Sequence, residues 1–177
     1  MNAKFKQSTR KRAIVSIIAF GFAIPASQSH ADTGTSIMSV SASVTHSCSI
    51  NTNPMTFGVY NGVDANASTT LDATTTVISS CTSGAAAMIT MNAGASAGSR
   101  SDDTPVRRMT SEAGDYLIYQ VYSDVSRETV WGDTVSTGVA LSGNGSPQIL
   151  TVYGSIPSAQ LLPEGDYRDQ IIVTITY

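Results

Sequence analysis

The amino-acid sequence predicts an all-β protein, a sandwich of antiparallel sheets, and three observations support this fold class. Beyond the first thirty-one residues, no stretch repeats apolar side chains at helical spacing for long enough to form a helix. Thr, Val, Ile and Tyr, which favour strands, are interleaved with Gly, Asn, Asp and Ser, which favour turns. About seven short stretches alternate in polarity between such turns, as is typical of a β-sandwich.

Residues 1–31 have the features of a secretory signal peptide. Five basic residues come first, the apolar run 13–24 follows, and Pro25 and a few small residues lead to Ala31, after which we expect cleavage. A membrane anchor is the alternative, but a run of about 12 apolar residues is too short for a bilayer, which needs about 20. The sequence therefore predicts an exported protein that is not inserted in a membrane.

The mature chain that cleavage would leave is acidic and has the length of one domain. It has 146 residues, with five arginines, no lysine and thirteen acidic residues, which gives a formal net charge of −8. Binding to nucleic acid or to an anionic membrane requires a basic surface. The charge balance therefore excludes both kinds of partner.

Two cysteines, Cys48 and Cys81, lie in the mature chain, and we predict that they form a disulfide bond. Export to an oxidising compartment favours this pairing. A zinc site is the alternative, but His46 is the only histidine of the mature chain, and these three residues are too few for a structural site.

The cleanest alternation in the chain precedes the first cysteine. Met38, Val40, Ala42 and Val44 alternate with Ser and Thr, and Ile37 is a further apolar residue at the start. A strand at the surface of its own sheet alternates in this way, and so does a strand that is donated to the sheet edge of a partner. The pattern alone leaves both interpretations open.

The remaining strand-like stretches follow in order along the chain. Residues 86–91 are apolar on both faces, which indicates a buried strand, and residues 93–104 form a polar stretch that we predict to be an exposed loop. In the last stretch, one face carries Tyr167, Ile171, Val173, Ile175 and Tyr177. The other stretches are 55–59 before the turn Asn61-Gly62, 69–80 (one strand or two), 115–122, 148–156 and 166–177.

The sequence offers little for catalysis. A Ser- or Cys-based triad needs a base, but His46 lies beside a cysteine that a disulfide would make unreactive. The acids Asp102-Asp103, Asp166 and Asp169 lie near turns, where such residues usually cap the backbone or face solvent. Neither a calcium-binding ladder of oxygens nor a phosphate-binding glycine loop is present in the sequence. We therefore predict no enzymatic activity, no metal and no cofactor.

The single tryptophan, Trp131, is followed by Gly132-Asp133 and lies among turn residues. An exposed tryptophan in a loop of a sandwich can stack on a sugar ring. More often such a residue closes one end of the core, and we expect the second role here.

Several short strings, taken together and in order, resemble the spore coat protein U domain. This family includes subunits of archaic chaperone–usher pili such as the Csu pilus. The resemblance extends from about residue 36 to residue 177. Its strings are Thr56-Phe57-Gly58, Arg108-Met109, residues 116–124, Trp131-Gly132-Asp133, residues 152–157, residues 165–169 and residues 173–177.

The resemblance implies a pilin whose immunoglobulin-like β-sandwich lacks its last strand and is completed in trans by a donor strand. A periplasmic chaperone would lend a strand to the groove, and at the outer-membrane usher the N-terminal segment of an identical or related subunit would replace it. Residues 1–31 would be the leader, 32–46 the donor-strand extension and 47–177 the sandwich. The donor side chains would be Met38, Val40, Ala42 and Val44, and the last-strand residues Tyr167, Ile171, Val173, Ile175 and Tyr177 would face the groove.

Two features of the sequence agree with this implication. The string Glu164-Gly165-Asp166-Tyr167 is like the corner before strand F of an immunoglobulin fold, where a tyrosine hydrogen-bonds back across the turn. A single strand follows it before Tyr177, so we expect the sandwich to lack a strand G. The clean alternation of residues 38–44 suits a donated strand.

The expected function is therefore that of a cell-surface pilus subunit that supports adhesion and biofilm formation. A soluble secreted sandwich that binds a carbohydrate or another surface ligand is the main alternative. A secreted hydrolase that uses His46 or the acidic residues is the third.

Overall fold

The computed structural model describes residues 30–98 and 104–177, and the secondary structure of this part of the chain consists of eight strands without a helix. No helix in the described residues is long and apolar enough to cross a membrane. The predicted leader, except its last two residues, and the Asp102-Asp103 pair lie outside the described residues. The strands are β1 Cys48–Thr52, β2 Leu71–Cys81, β3 Ala86–Met91, β4 Arg107–Thr110, β5 Tyr116–Tyr122, β6 Val139–Ser142, β7 Pro147–Ile156 and β8 Val173–Thr176.

The strands form two antiparallel sheets, which confirms the predicted all-β sandwich. The order of the larger sheet is β1-β2-β7-β5-β4, and that of the smaller sheet is β6-β3-β8. The centre of the larger sheet is the ladder between β2 and β7, which runs from the pair Leu71–Ile156 to the pair Ser80–Pro147. Within the described residues β1 pairs only with β2 and β8 only with β3, so both are edge strands.

Alternate residues of the strands supply the core between the sheets. In β5 the side chains of Leu117, Tyr119 and Val121 are buried while Tyr116 and Ile118 are exposed, as the period of two predicts. The other buried core residues include Val77, Ile89, Met91, Val152 and Ile156.

Trp131 belongs to this core and not to the surface. Its side chain is 1% exposed, and its indole N–H donates a 2.8 Å hydrogen bond to the carbonyl of Ile89. The expectation that it closes the core is confirmed, and the alternative of an exposed ring that stacks on a sugar is wrong.

A buried arginine joins the two sheets at this end of the core. The side chain of Arg107 is fully buried, and its guanidinium donates hydrogen bonds to the carbonyls of Met91, Asn92 and Trp131 and to the side-chain oxygen of Gln120. Burial lowers the pKa of Arg107 to about 10, so it remains a cation at neutral pH. Because its partners are neutral oxygens, the charge is stabilised by hydrogen bonds.

Three of the alternating stretches differ from the prediction. Residues 38–44 and 55–59 form no strand, and of the stretch 166–177 only Val173–Thr176 is a strand. A strand exists only where a neighbour accepts its backbone hydrogen bonds. Among the described residues, the stretches 38–44 and 55–59 pair with no strand, and residues 166–172 meet β4 only through the isolated bridge between Arg168 and Thr110. The stretch 69–80 forms the single strand β2.

The exposed loop predicted for residues 93–104 is described only in part. Ala93 is buried rather than exposed, and Ala95 is exposed. Residues 99–103 are outside the described residues.

Candidate functional site

A cleft of about 1530 Å³ opens into the core of the sandwich. Two segments without strand structure form its sides: residues 53–63, which follow β1, and residues 160–171, which precede β8. We call them the first wall and the second wall. The inner surface of the cleft consists of core side chains, namely Val77, Met109, Leu117, Tyr119, Val121, Val152 and Ile156.

The first wall leaves the sheet at Pro54. The amide of Asn53 still donates to the carbonyl of Thr76 at 3.1 Å, but proline has no N–H with which to continue the ladder. Beyond this point Met55 and Phe57 turn partly inward, whereas Val59 is 90% exposed. The wall therefore contributes side chains to the core without forming a strand.

The second wall is held by a tyrosine corner and by a bridge to β4. The hydroxyl of Tyr167 donates a 2.9 Å hydrogen bond to the carbonyl of Pro163, which confirms the corner predicted for this residue. The backbones of Arg168 and Thr110 exchange hydrogen bonds of 2.8 and 3.0 Å. Along this wall Leu162 and Ile171 are half-buried, while Leu161 and Ile172 are exposed.

A carboxylate ties the second wall to the interior of the cleft. One oxygen of Asp169 accepts a 2.6 Å hydrogen bond from the hydroxyl of Tyr119, and the other accepts from the amides of Ala95 at 2.9 Å and Ser96 at 3.3 Å. Burial, followed by the hydrogen bond to Asp169, raises the pKa of Tyr119 far above its ordinary value. Tyr119 therefore remains a neutral donor at any physiological pH.

One end of the cleft is closed where its two walls meet. The hydroxyl of Tyr60 donates to the carbonyl of Pro157 at 2.8 Å and accepts from the amide of Gln160 at 3.0 Å. The side-chain amide of Gln160 in turn accepts from the N–H of Ile118 and donates to its carbonyl, as a neighbouring strand would do. A Cβ at Gly62 would lie 2.1 Å from the carbonyl oxygen of Gln160, so the contact requires glycine.

Beyond the residues that line the cleft, β8 packs against the cluster around the disulfide bond. Cys48 is bonded to Cys81, as predicted, and the two residues form the first register pair of the β1–β2 ladder. Cys81 is buried with Ala85 and Ala87, and Ile175 of β8 packs against this cluster.

The five last-strand residues selected from the sequence occupy different places. Tyr167, Ile171 and Val173 line the cleft, and Ile175 lies in the disulfide cluster. Tyr177 follows the end of β8 and is 58% exposed.

The donor residues selected from the sequence are all exposed. Met38, Val40 and Val44 are between 85% and 90% exposed, and Ala42 is exposed as well. Ile37 is 95% exposed. A contiguous run of exposed apolar side chains is a candidate interaction surface.

Among the described residues, those considered for catalysis are not brought together. His46 is exposed just before β1, and Cys48 is no free nucleophile because it is bonded to Cys81. Asp166 forms an ion pair with Arg168 at 3.3 Å in which both side chains are more than 80% exposed, whereas Asp169 is engaged in the cleft. Among the described residues, no three His, Cys, Asp or Glu side chains are grouped so that they could hold a metal ion.

Comparison with known proteins finds one protein family and a relative of similar length. The family model of the Spore Coat Protein U domain matches residues 17–174. Protein U of Myxococcus xanthus is 35% identical over 176 residues, a match that covers 94% of this chain and 98% of that protein.

A solved structure has a similar fold. It is a chain of the CsuC–CsuE chaperone–tip adhesion subunit pre-assembly complex from the archaic chaperone–usher Csu pili of Acinetobacter baumannii. The TM-score is 0.54 at 16% identity, and the match covers 76% of this chain but only 40% of that chain. At this identity the likeness concerns the fold alone.

Proposed function

Since this chain belongs to the Spore Coat Protein U domain family, we propose that it is a pilus subunit that polymerises by donor-strand complementation. The family assigns it a structural and not an enzymatic role. In the proposed fibre, residues 32–46 of one subunit complete the sandwich of the next.

The observation that supports this proposal is the coexistence of a cleft and a segment that suits it. The cleft is lined by apolar core residues, and neither of its walls is a strand. The same chain carries, before β1, an extended stretch in which every second side chain is apolar and exposed. Such a stretch can pair its backbone with a free sheet edge while its alternate side chains enter the core.

The donor segment has the length of an ordinary β-strand. Four apolar side chains at every second position, from Met38 to Val44, span about 20 Å at the rise of an extended strand. Burying such side chains removes apolar surface from water, which contributes about 25 cal/mol per Å². Pairing is head-to-tail because the donor segment and the cleft are different surfaces, and repeated head-to-tail contacts generate an open fibre.

A cleft of this kind would also require a chaperone. A sandwich whose core is reached by a cleft and whose edge strands are unpaired is prone to aggregate unless a partner covers them. The similar solved structure is described as a chaperone bound to a subunit before assembly. We therefore propose a periplasmic chaperone as the first occupant of the cleft, an outer-membrane usher as the assembly site, and a surface fibre that supports adhesion and biofilm formation.

The proposal is tested by co-expression of the mature chain with a candidate chaperone and usher. We expect oligomers that survive detergent without heating, because a strand inserted in a sandwich dissociates only when the sandwich opens. Deletion of residues 36–44 should abolish the ladder of oligomers while the subunit still binds the chaperone. An unchanged ladder after this deletion would contradict the proposal.

A further inference from the structure

We propose that the Cys48–Cys81 disulfide diverts pulling force around β1, so that tension on the donor segment of a subunit does not open its own acceptor cleft. The inference rests on the proposed function, because it concerns a subunit whose N-terminal segment is held by one neighbour and whose cleft holds another. It gives the disulfide a mechanical role in addition to its contribution to folding.

The bond lies where the force would enter the domain. Only residues 45–47 separate Val44, the last donor residue, from Cys48. Cys48 begins β1 and pairs with Cys81, the first register pair of this ladder. Just before it, Ser47 is bonded to Thr82 through a backbone hydrogen bond of 2.9 Å and a second bond of 3.1 Å to the threonine hydroxyl.

Without the bond, the covalent path from the donor segment would run through β1 directly into the first wall of the cleft. β1 has five residues and, among the described strands, pairs only with β2. Because the hydrogen bonds of an antiparallel pair lie across the strands, a pull at one end loads them one after another. Peeling β1 in this way would draw Met55 and Phe57 out of the core, since the first wall follows at Asn53.

With the bond, the force passes to β2 at Cys81. β2 is an eleven-residue strand between β1 and β7, and it pairs with β7 over ten positions. Cys81 is 3% exposed and packs with Ala85, Ala87 and Ile175. Because Ala87 and Ile175 belong to the smaller sheet, part of the force is also transmitted to that sheet. The load is thus shared by the centre of the sandwich, and β1 and the first wall remain in place.

The test is to pull on fibres of the mature protein in an optical trap and to compare three proteins. The first is the wild type, and the second carries Cys48→Ser and Cys81→Ser. The third adds Asn51→Cys and Ile78→Cys to the second, which moves the bond to the fourth register pair of the same ladder, outside the lining of the cleft. This third protein is the matched control, because it keeps a disulfide between β1 and β2 but leaves the start of β1 free.

We expect the double variant to lengthen at low force and to break at a several-fold lower force than the wild type. The protein with the relocated bond should still lengthen at low force, because the first residues of its β1 can peel from β2. Its breaking force should return to that of the wild type, because the first wall is protected. Equal lengthening and equal breaking force in the wild type and the double variant would overturn the inference.

A variant that does not assemble is replaced by wild-type fibres treated with a reductant in the trap, for which the same loss of breaking force is expected. Unchanged breaking force after verified reduction would overturn the inference while the proposed function stands. Failure of the wild type to form fibres would overturn both.

Discussion

The hydroxyl of Tyr119 lies 2.6 Å from a carboxylate oxygen of Asp169, fifty residues further along the chain, and joins the interior of the cleft to its second wall. The other oxygen of Asp169 accepts hydrogen bonds from the amides of Ala95 and Ser96. One side chain therefore fixes the course of the chain just before β8. This contact is one of the polar supports of the second wall, together with the corner at Tyr167 and the bridge between Arg168 and Thr110.

The first prediction concerns this contact. Asp169→Ala should lower the free energy of unfolding of the mature protein by about 1–3 kcal/mol, because it leaves the buried Tyr119 hydroxyl and the amide of Ser96 without an acceptor, whereas the amide of Ala95 keeps the carbonyl of Gln170. Tyr119→Phe should cost less, since Asp169 keeps its two backbone donors. Denaturant titration of both single variants and of the double variant measures the coupling, and strictly additive effects would contradict a direct interaction.

The second prediction concerns pH. The folded state raises the pKa of Tyr119 through burial and the hydrogen bond to Asp169, whereas in the unfolded chain a tyrosine titrates near about 10. Above that pH the unfolded state loses this proton and the folded state keeps it, so the stability conferred by the protonated hydroxyl decreases as the pH rises.

The measurement is the free energy of unfolding between about pH 9 and 11. The loss attributable to one tyrosine approaches about 1.4 kcal/mol per pH unit, and Tyr119→Phe should remove that part of the slope. Arg107, whose pKa is lowered to about 10, is present in both proteins and interacts electrostatically with Tyr119, so the difference in slope reports on Tyr119 together with this interaction. Identical slopes would show that Tyr119 does not stay protonated in the folded state.

The third prediction concerns the buried arginine. Arg107→Met should destabilise the fold by about 3–5 kcal/mol, because the carbonyls of Met91, Asn92 and Trp131 lose their donor inside the core. Arg107→Lys should have an intermediate effect, since one ammonium cannot reproduce the planar set of donors. Unfolding followed by the fluorescence of Trp131 reports on this region. A methionine variant as stable as the wild type would mean that apolar packing replaces the network.

The fourth prediction concerns a glycine beside Asp169. Gly94 has a φ of +87°, and a Cβ there would lie 2.0 Å from an Asp169 oxygen. Gly84 has a similar φ of +81°, but a Cβ there would meet nothing within 4 Å. In both alanine variants, holding a residue with a Cβ at positive φ destabilises the fold by about 1–2 kcal/mol. Gly94→Ala should be the more destabilising of the two in a thermal melt, and equal melting temperatures would contradict the crowding at Asp169.

The features that could be predicted from the sequence are those marked by a pattern within one short stretch or by a pair of residues such as two cysteines. The buried strand at residues 86–91, the faces of β5 and the disulfide follow from polarity, period and cysteine count, and the structure contains all three. By contrast, β4 and β6 have four residues each, too short for an alternation to stand out. Their positions depend on pairing with β5 and β3.

Only part of the candidate site could be predicted from the sequence, and the reason is physical. Residues 55–59 alternate as a strand does, but alternation reports which side of a segment is buried and does not report whether its backbone has a partner. Contacts such as Tyr119–Asp169 and Tyr60–Gln160 join residues 50 and 100 positions apart, and no local pattern marks them. In the proposed fibre the missing partner belongs to another subunit.

The most direct test of the proposed function compares two neighbouring substitutions in the donor segment, Val40→Asp and Ser41→Asp. Both add the same charge, and both positions are exposed in the single chain. In a donated strand, however, they point to opposite sides. If residues 38–44 enter a partner's cleft as proposed, Val40→Asp buries an unpaired carboxylate and abolishes detergent-resistant oligomers, while Ser41→Asp retains them. Equal assembly of the two variants would contradict the account.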